Sequence, residues 1–316
     1  MLVRLLPTGQ MELRSLAQCL RTLFPGHDFQ TISAREDPDG SRIPFESFTS
    51  GRLRPDIVPD ALRRLVEQLS AEAHPGRSGV PADLAVLIDD LELENLDQVP
   101  VVADIVRRAV RAHLADVEHR RGALSTERVA RALRERASFH VAVPMIESWL
   151  FGDPAALCTA GVPEERLPAR LATGCDPEQF ATDDPGYSAD DGAQCTELVS
   201  RNARKRPPIR PRWILPDRPS IPHWRREAHP KAYLSWLCRD PGHERCSTYR
   251  ESDGGAAALA SLRWPTVLGA PSHFTWARAL ILDIASALNE PVPAFASGGA
   301  CSTMPGTGSD PVLRNL

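Results

Sequence analysis

The sequence predicts an α/β fold: a mostly parallel sheet with helices on both faces, followed by a mainly helical C-terminal extension. Three observations predict it. Strand-like and helix-like segments alternate through the first 90 residues, the order that yields a mostly parallel sheet with helices packed on it. The run Leu84-Ala85-Val86-Leu87-Ile88 is apolar without alternation, as in a strand covered on both faces. It switches at once to Asp89-Asp90-Leu91-Glu92, so the strand ends in carboxylates, and open α/β sheets gather ligands at the carboxyl ends of their strands.

Taken in order, Leu2 to Leu6 reads as a first strand and Pro7-Thr8-Gly9-Gln10 as a tight turn. Leu13, Leu16, Cys19 and Leu20 repeat at helical spacing, which predicts a helix over Met11 to Leu23, stopped by Pro25-Gly26. His27 to Ser33 reads as a second strand, and the polar stretch to Pro59 as loop. Asp60 is placed to cap a helix through Ala71, with Leu62, Leu65, Val66 and Leu69 along one face. After the acidic cluster, helices are predicted over Val99 to Val117 and from Ser125, as cap, to about Ala137. Ser138 to Val143 reads as a further strand, ended by Pro144, and a helix begins at Met145, so Glu147 falls at a strand-to-helix junction. These elements place an α/β core in residues 1–150.

Residues 151–290 read as a helical and irregular extension that completes the domain. Its first part is acidic, with Asp176, Glu178, Asp183, Asp184, Asp190 and Asp191 close together. The sign then reverses: Arg201, Arg204, Lys205, Arg206, Arg210, Arg212, Arg218, Arg225 and Arg226 are interleaved with Trp213 and Trp224. Arginine beside tryptophan suits a phosphate backbone and stacked bases. A solvated basic face, or an internal partner for the acidic stretch, fits the charge equally well. Helices follow over His229 to Leu237, from Gly254 with Asp253 as cap, and from Ser272 as cap to about Leu288. Residues 291–316, rich in Gly, Ser, Pro and Thr, read as a flexible tail.

The composition limits the function classes. The 316 residues carry a net charge of −4, which gives no global pull toward nucleic acid, though a local patch remains open. The first residues hold too short an apolar run for a signal peptide, and no run approaches the roughly 18 residues of a membrane span, so no membrane association is expected. Seven cysteines, an odd number scattered along the chain, read as reduced thiols of a cytoplasmic protein.

Chemistry concentrates in carboxylates. Asp89, Asp90 and Glu92 form one acidic edge, with Glu12 after the first strand and Glu147 after the fourth. If the strand persists, Asp90 and Glu92 point one way and Asp89 the other; if the chain has already turned, Asp89 joins them. Hard oxygen ligands of this kind suit Mg²⁺ or Mn²⁺, which activate water and stabilise a transferring phosphoryl group. His229, Cys238, His243 and Cys246 offer zinc donors, but the Cys-x7-Cys spacing is wide and no Cys-x2-Cys occurs, so zinc is not expected. Cys238 reads better as a buried small hydrophobe. No Gly-x-Ser-x-Gly and no phosphate loop is present.

The motifs add up to a likeness. Thr8-Gly9-Gln10-Met11-Glu12, Asp89-Asp90-Leu91-Glu92 and Pro144-Met145-Ile146-Glu147-Ser148-Trp149 occur in the order of a Glu-Gly-x-Thr-Glu turn, an Asp-x-Asp pair and a Pro-x-x-Glu-x-Trp segment. His229-Pro230-Lys231-x-Tyr233-Leu234 and Tyr249-Arg250-Glu251-x-Asp253-Gly254-Gly255 continue it. In these segments the chain resembles a Toprim-like bacterial family allied to the overcoming-lysogenisation-defect (OLD) nucleases and the RloB-like restriction-associated proteins. The resemblance implies a Toprim-type core, metal-dependent phosphodiester cleavage or phosphotransfer in phage defence, and working roles for Glu12, Glu147 and Lys231. Asp89, Asp90 and Glu92 would hold the metal, and Arg204, Lys205, Arg206, Arg210 and Arg212 would contact DNA or RNA. Two positions depart from the family pattern: Thr8 stands where the family has its glutamate, and Glu92 replaces an aspartate. A catalytically inactive module that binds nucleic acid or a protein partner in a defence complex is therefore the alternative expectation. A third is a structural protein whose acidic and basic stretches pair.

Overall fold

The computed structural model of the chain describes residues 1–36, 42–76, 79–192, 213, 226–243, 246–305 and 310–316. In order, the first elements are β1 (Leu2–Pro7), α1 (Gln10–Leu23), β2 (Asp28–Thr31), β3 (Ala34–Glu36), β4 (Arg42–Pro44), α2 (Asp60–Ala73) and β5 (Leu84–Asp90). They continue with α3 (Val99–Arg121), α4 (Ala123–Arg136) and β6 (Ala137–Ala142). The sheet is wholly parallel with strand order β2-β1-β5-β6. The short antiparallel hairpin β3–β4 occupies part of the stretch expected as loop.

Side chains alternate across the sheet and divide the core in two. Val3, Leu5, Leu84, Val86 and Ile88 pack with Leu16 and Leu20 of α1, while Leu6, Ala85 and Leu87 pack with Leu62, Leu65 and Val66 of α2 and Val102 and Val106 of α3. All of these are buried. Helices therefore cover both faces, as the unbroken apolar run of β5 requires.

The extension supplies α5 (Glu147–Leu150), α6 (Pro154–Ala160), α7 (Pro185–Ala189), α8 (Pro230–Leu237), α9 (Ala256–Ala260), α10 (Trp264–Val267) and α11 (Thr275–Leu288). The α1 face of the sheet is closed by this extension, including Leu259 of α9 and Ile281 and Ile284 of α11. Several helix ends differ from expectation. Pro59, not Asp60, precedes α2; Gly122, not Ser125, precedes α4; a π-helical turn over Glu251–Gly255 leads into α9 without a cap from Asp253; and Phe274 precedes α11. The expected cap Ser272 is replaced by a distant group. Glu178 accepts from the Trp276 and Ala277 backbone N–H groups, each at 2.8 Å, and Asp176 accepts from that of Phe274 at 3.1 Å.

Much of the acidic stretch is thus spent on long-range contacts that hold the extension together. Asp184 caps α7 and accepts from the Tyr233 hydroxyl, and Asp190 accepts from Trp236 and pairs with Arg239. These bonds were invisible in a one-dimensional count of charges. Trp213 is buried in the core, which removes it from any base-stacking surface. Of the residues expected as a flexible tail, Ala296, Met304, Val312, Leu313 and Leu316 are buried. The Asn315 amide accepts from Phe139 N at 3.0 Å and donates to Phe139 O at 2.7 Å, satisfying the free edge of β6.

Candidate metal and phosphate site

The strand order reverses between β1 and β5, so the crevice outside their carboxyl ends is the topological switch point where open α/β sheets bind ligands. The residues there are Thr8, Gly9, Asp89 and Asp90, with Glu12 in the first turn of α1.

β5 continues through Asp90, which settles the direction of its two aspartates: they point to opposite faces. Asp89 is fully buried and saturated. Its Oδ1 accepts from the Thr8 hydroxyl and from Asp90 N at 3.0 Å; its Oδ2 accepts from Phe48 N at 3.0 Å and Thr49 Oγ1 at 3.1 Å. Four donors use the acceptor capacity of a carboxylate. Asn95 completes the clasp, its amide reaching Thr49 O, Gly51 O and Leu91 O. Burial pushes the Asp89 carboxyl up to about 6 against the pull of these bonds. The expected metal ligand Asp89 is therefore a structural staple between β1, β5 and the 47–53 loop. Thr8, which cannot supply a carboxylate, is one of its donors.

Asp90 faces the other way, half-buried, with Oδ1 accepting from Ile146 N at 2.9 Å. Its carboxyl is raised well above the usual range, first by burial and then by Glu12, Glu92, Glu147 and Asp89. Glu12 is buried and folds back over Gly9: a Cβ on Gly9 would lie 2.4 Å from Glu12 Oε2. Only glycine admits that approach. Glu12 Oε1 has no hydrogen-bond partner, and burial, with Glu147 and Asp89 adding to it, pushes the carboxyl up to about 8. Glu12, in the first turn of α1, thus brings a carboxylate to the strand end that Thr8 follows.

Glu92 is the most strained member. Its φ of 62° and ψ of 156° fall in a region that is essentially glycine's own, at a cost of about 1–3 kcal/mol. The strain is locked by Glu92 N donating to Pro144 O at 2.7 Å. Burial, and then Glu147, Glu94 and Asp89 against the pull of Lys231, raises its carboxyl to about 7. Glu92→Gly is expected to stabilise the fold by about 1 kcal/mol in a urea titration, since glycine relieves the strain at some entropic cost.

Across the cleft, Glu147 is buried and accepts from the Tyr249 hydroxyl at 3.2 Å. Lys231 Nζ lies 3.6 Å from Glu147 and 2.8 Å from Glu251. Burial disfavours the Lys231 charge, but Glu147 and Glu251 outweigh it, and the amine is held protonated with its pKa raised. Among the described residues, no three His, Cys, Asp or Glu side chains are already arranged to enclose an ion. Glu12, Asp90, Glu92 and Glu147 instead converge as a field of like charge opposite one lysine. Their chemistry fits a hard divalent cation: all donors are oxygens, one is buried without a partner, and the long Glu side chains can rotate inward.

The zinc-type donors are engaged elsewhere. Cys238 Sγ contacts Ala160 O at 3.6 Å, and Cys246 is disulfide-bonded, unlike the reduced thiols expected throughout. His229 caps α8 by accepting from Ala232 N at 3.3 Å. Burial, and secondarily Lys231, pushes His229 down to about 4 from 6.5. It is neutral in the fold where the unfolded chain takes up a proton, so stability falls as pH drops from about 6.5 to about 4, by up to about 3 kcal/mol. His229→Asn keeps a cap and removes the titration; the difference between the two proteins in urea midpoints at pH 7 and pH 4.5 measures the effect.

Arg204, Lys205, Arg206, Arg210 and Arg212, expected to contact nucleic acid, lie outside the described residues. A basic surface that the sequence reading passed over lies on α3 and α4. Residues 107–136 hold nine arginines against four acidic residues, and Arg120, Arg121, Arg128 and Arg134 are exposed. The signal was legible as helical arginines outnumbering their partners; Arg131–Glu127 is one of the pairs that form.

Comparisons of the chain with protein-family models, curated proteins and solved structures return no match. No helix among the described residues is long and apolar enough to cross a membrane.

Proposed function

We propose that this protein is a divalent-metal-dependent phosphodiesterase of nucleic acid, a nuclease of Toprim-like type acting in a phage-defence system. One observation carries the reading: Glu12, from a different element, brings an unpartnered buried carboxylate oxygen to the switch point where Asp90 ends its strand. Glu12, Asp90 and Glu92 would hold Mg²⁺ or Mn²⁺, with Glu147 facing them. The ion would neutralise charge on a phosphate and ease deprotonation of water. Lys231, held protonated, serves as a cationic contact for a phosphate oxygen and not as a proton acceptor. Tyr249 fixes Glu147, and Glu147 with Glu251 fixes Lys231.

The second reading, a binding module without hydrolytic activity, is favoured by Thr8 in place of the family's glutamate. One assay separates the two. Labelled single- and double-stranded DNA and RNA are incubated with the protein and Mg²⁺ or Mn²⁺. Cleavage that needs the ion and falls about 10²-fold in Lys231→Met supports the enzyme. Binding to nucleic acid or to a protein partner without cleavage of any substrate supports the module.

A further inference from the structure

The free edge of β6, α11 and the C-terminal residues enclose a cavity of about 200 Å³ that carries no member of the carboxylate cluster. Phe139, Val141, Trp276, Ala279 and Met304 give it apolar walls, and Cys301, which is exposed, stands at its mouth. Its polar lining is Ser302, Thr303, Asn315 and a paired His140 and Asp283. His140 Nε2 meets Asp283 Oδ2 at 3.1 Å, and Arg314 Nε lies 3.5 Å from the other oxygen of Asp283. The aspartate is held low despite its burial by His140 and Arg314. His140 Nε2 also lies 3.3 Å from Asn315 Nδ2, so the pair and the amide form one polar cluster in the wall.

We infer that this cavity is a binding site for a small aromatic molecule of one or two rings that bears a single N–H or O–H donor. Phe139 and Trp276 give the flat apolar walls such a ring requires, and the Asp283 carboxylate is the acceptor for its donor. The size sets the upper limit: a cavity of about 150 Å³ takes benzene, so about 200 Å³ takes a molecule of roughly indole size. A packing void would need no such pair. Burying an aspartate and a histidine beside apolar walls costs stability, and genuinely empty cavities are apolar. The inference does not rest on the cleavage reading.

The test uses the whole protein. Indole, phenol and naphthalene are titrated up to about 5 mM while the indole N–H signals of the tryptophans are followed by heteronuclear NMR. One signal, assigned to Trp276 by its loss in Trp276→Phe, is expected to shift saturably with indole and phenol. Naphthalene, lacking a donor, is expected to bind about tenfold more weakly. Ala279→Phe, which fills the cavity, is expected to abolish the shift; should that variant fail to fold, Ala279→Met and Thr303→Trp at the mouth replace it. A shift that never saturates, one that survives in a folded filled variant, or naphthalene binding as tightly as indole overturns the inference.

Discussion

Asp90→Asn is expected to abolish metal-dependent cleavage, by about 10³-fold or more, while leaving the protein more stable to heat. The first effect follows from losing a charge that anchors the cation, since about 4 kcal/mol of transition-state stabilisation corresponds to about 10³ in rate. The second follows from the same carboxyl's surroundings. Asp90 is raised by burial and by Glu12, Glu92 and Glu147, so its ionised form is opposed by the fold. Asparagine removes that opposition and keeps an oxygen to accept from Ile146 N. In chelator at pH 8 we expect a gain of about 1 kcal/mol, a rise of about 2 °C in Tm, modest because Asp90 is only partly buried. Single-turnover cleavage and calorimetry on the same preparation check both. A variant that loses activity and stability together would mark Asp90 as structural.

Asp89→Ala is expected to do the opposite of its neighbour: a large loss of stability with catalysis impaired only through the fold. Two backbone N–H groups and the Thr8 hydroxyl lose their acceptor in a buried place, while Thr49 keeps the Asp90 carbonyl oxygen. Orphaned buried donors cost about 1–3 kcal/mol each, and hydroxyls can turn to other partners, so the expected loss is about 3–5 kcal/mol. Tm should fall by about 10 °C or more. At a temperature where the variant remains folded, it should retain far more cleavage than Asp90→Asn.

The opposed fates of these adjacent aspartates show what the sequence could and could not convey. The apolar run before them, and the strand-helix alternation, were sufficient to place a parallel sheet and its carboxyl edge. Period two made the opposition of Asp89 and Asp90 foreseeable if the strand persisted, but where it ended depended on pairing with β6, a long-range contact. The consumption of Asp89 was not legible at all, because Thr8, Phe48 and Thr49 come from segments distant in the chain. Glu12 was visible only as a carboxylate one helical turn too late; that it folds over Gly9 depends on a backbone conformation no spacing encodes. The strain at Glu92 and the clasp of Lys231 between Glu147 and Glu251 belong to the same class. Caps failed for a related reason: Glu178 displaced the local candidate Ser272 from nearly a hundred residues away.

The central claim, that Glu12 and Asp90 converge on one divalent cation, is tested most directly by Mn²⁺ anomalous scattering from soaked crystals. A peak within about 2.3 Å of oxygens of both Glu12 and Asp90 is expected, a ligand distance suited to such an ion. Mn²⁺ bound elsewhere, with no peak between these two carboxylates, would contradict it.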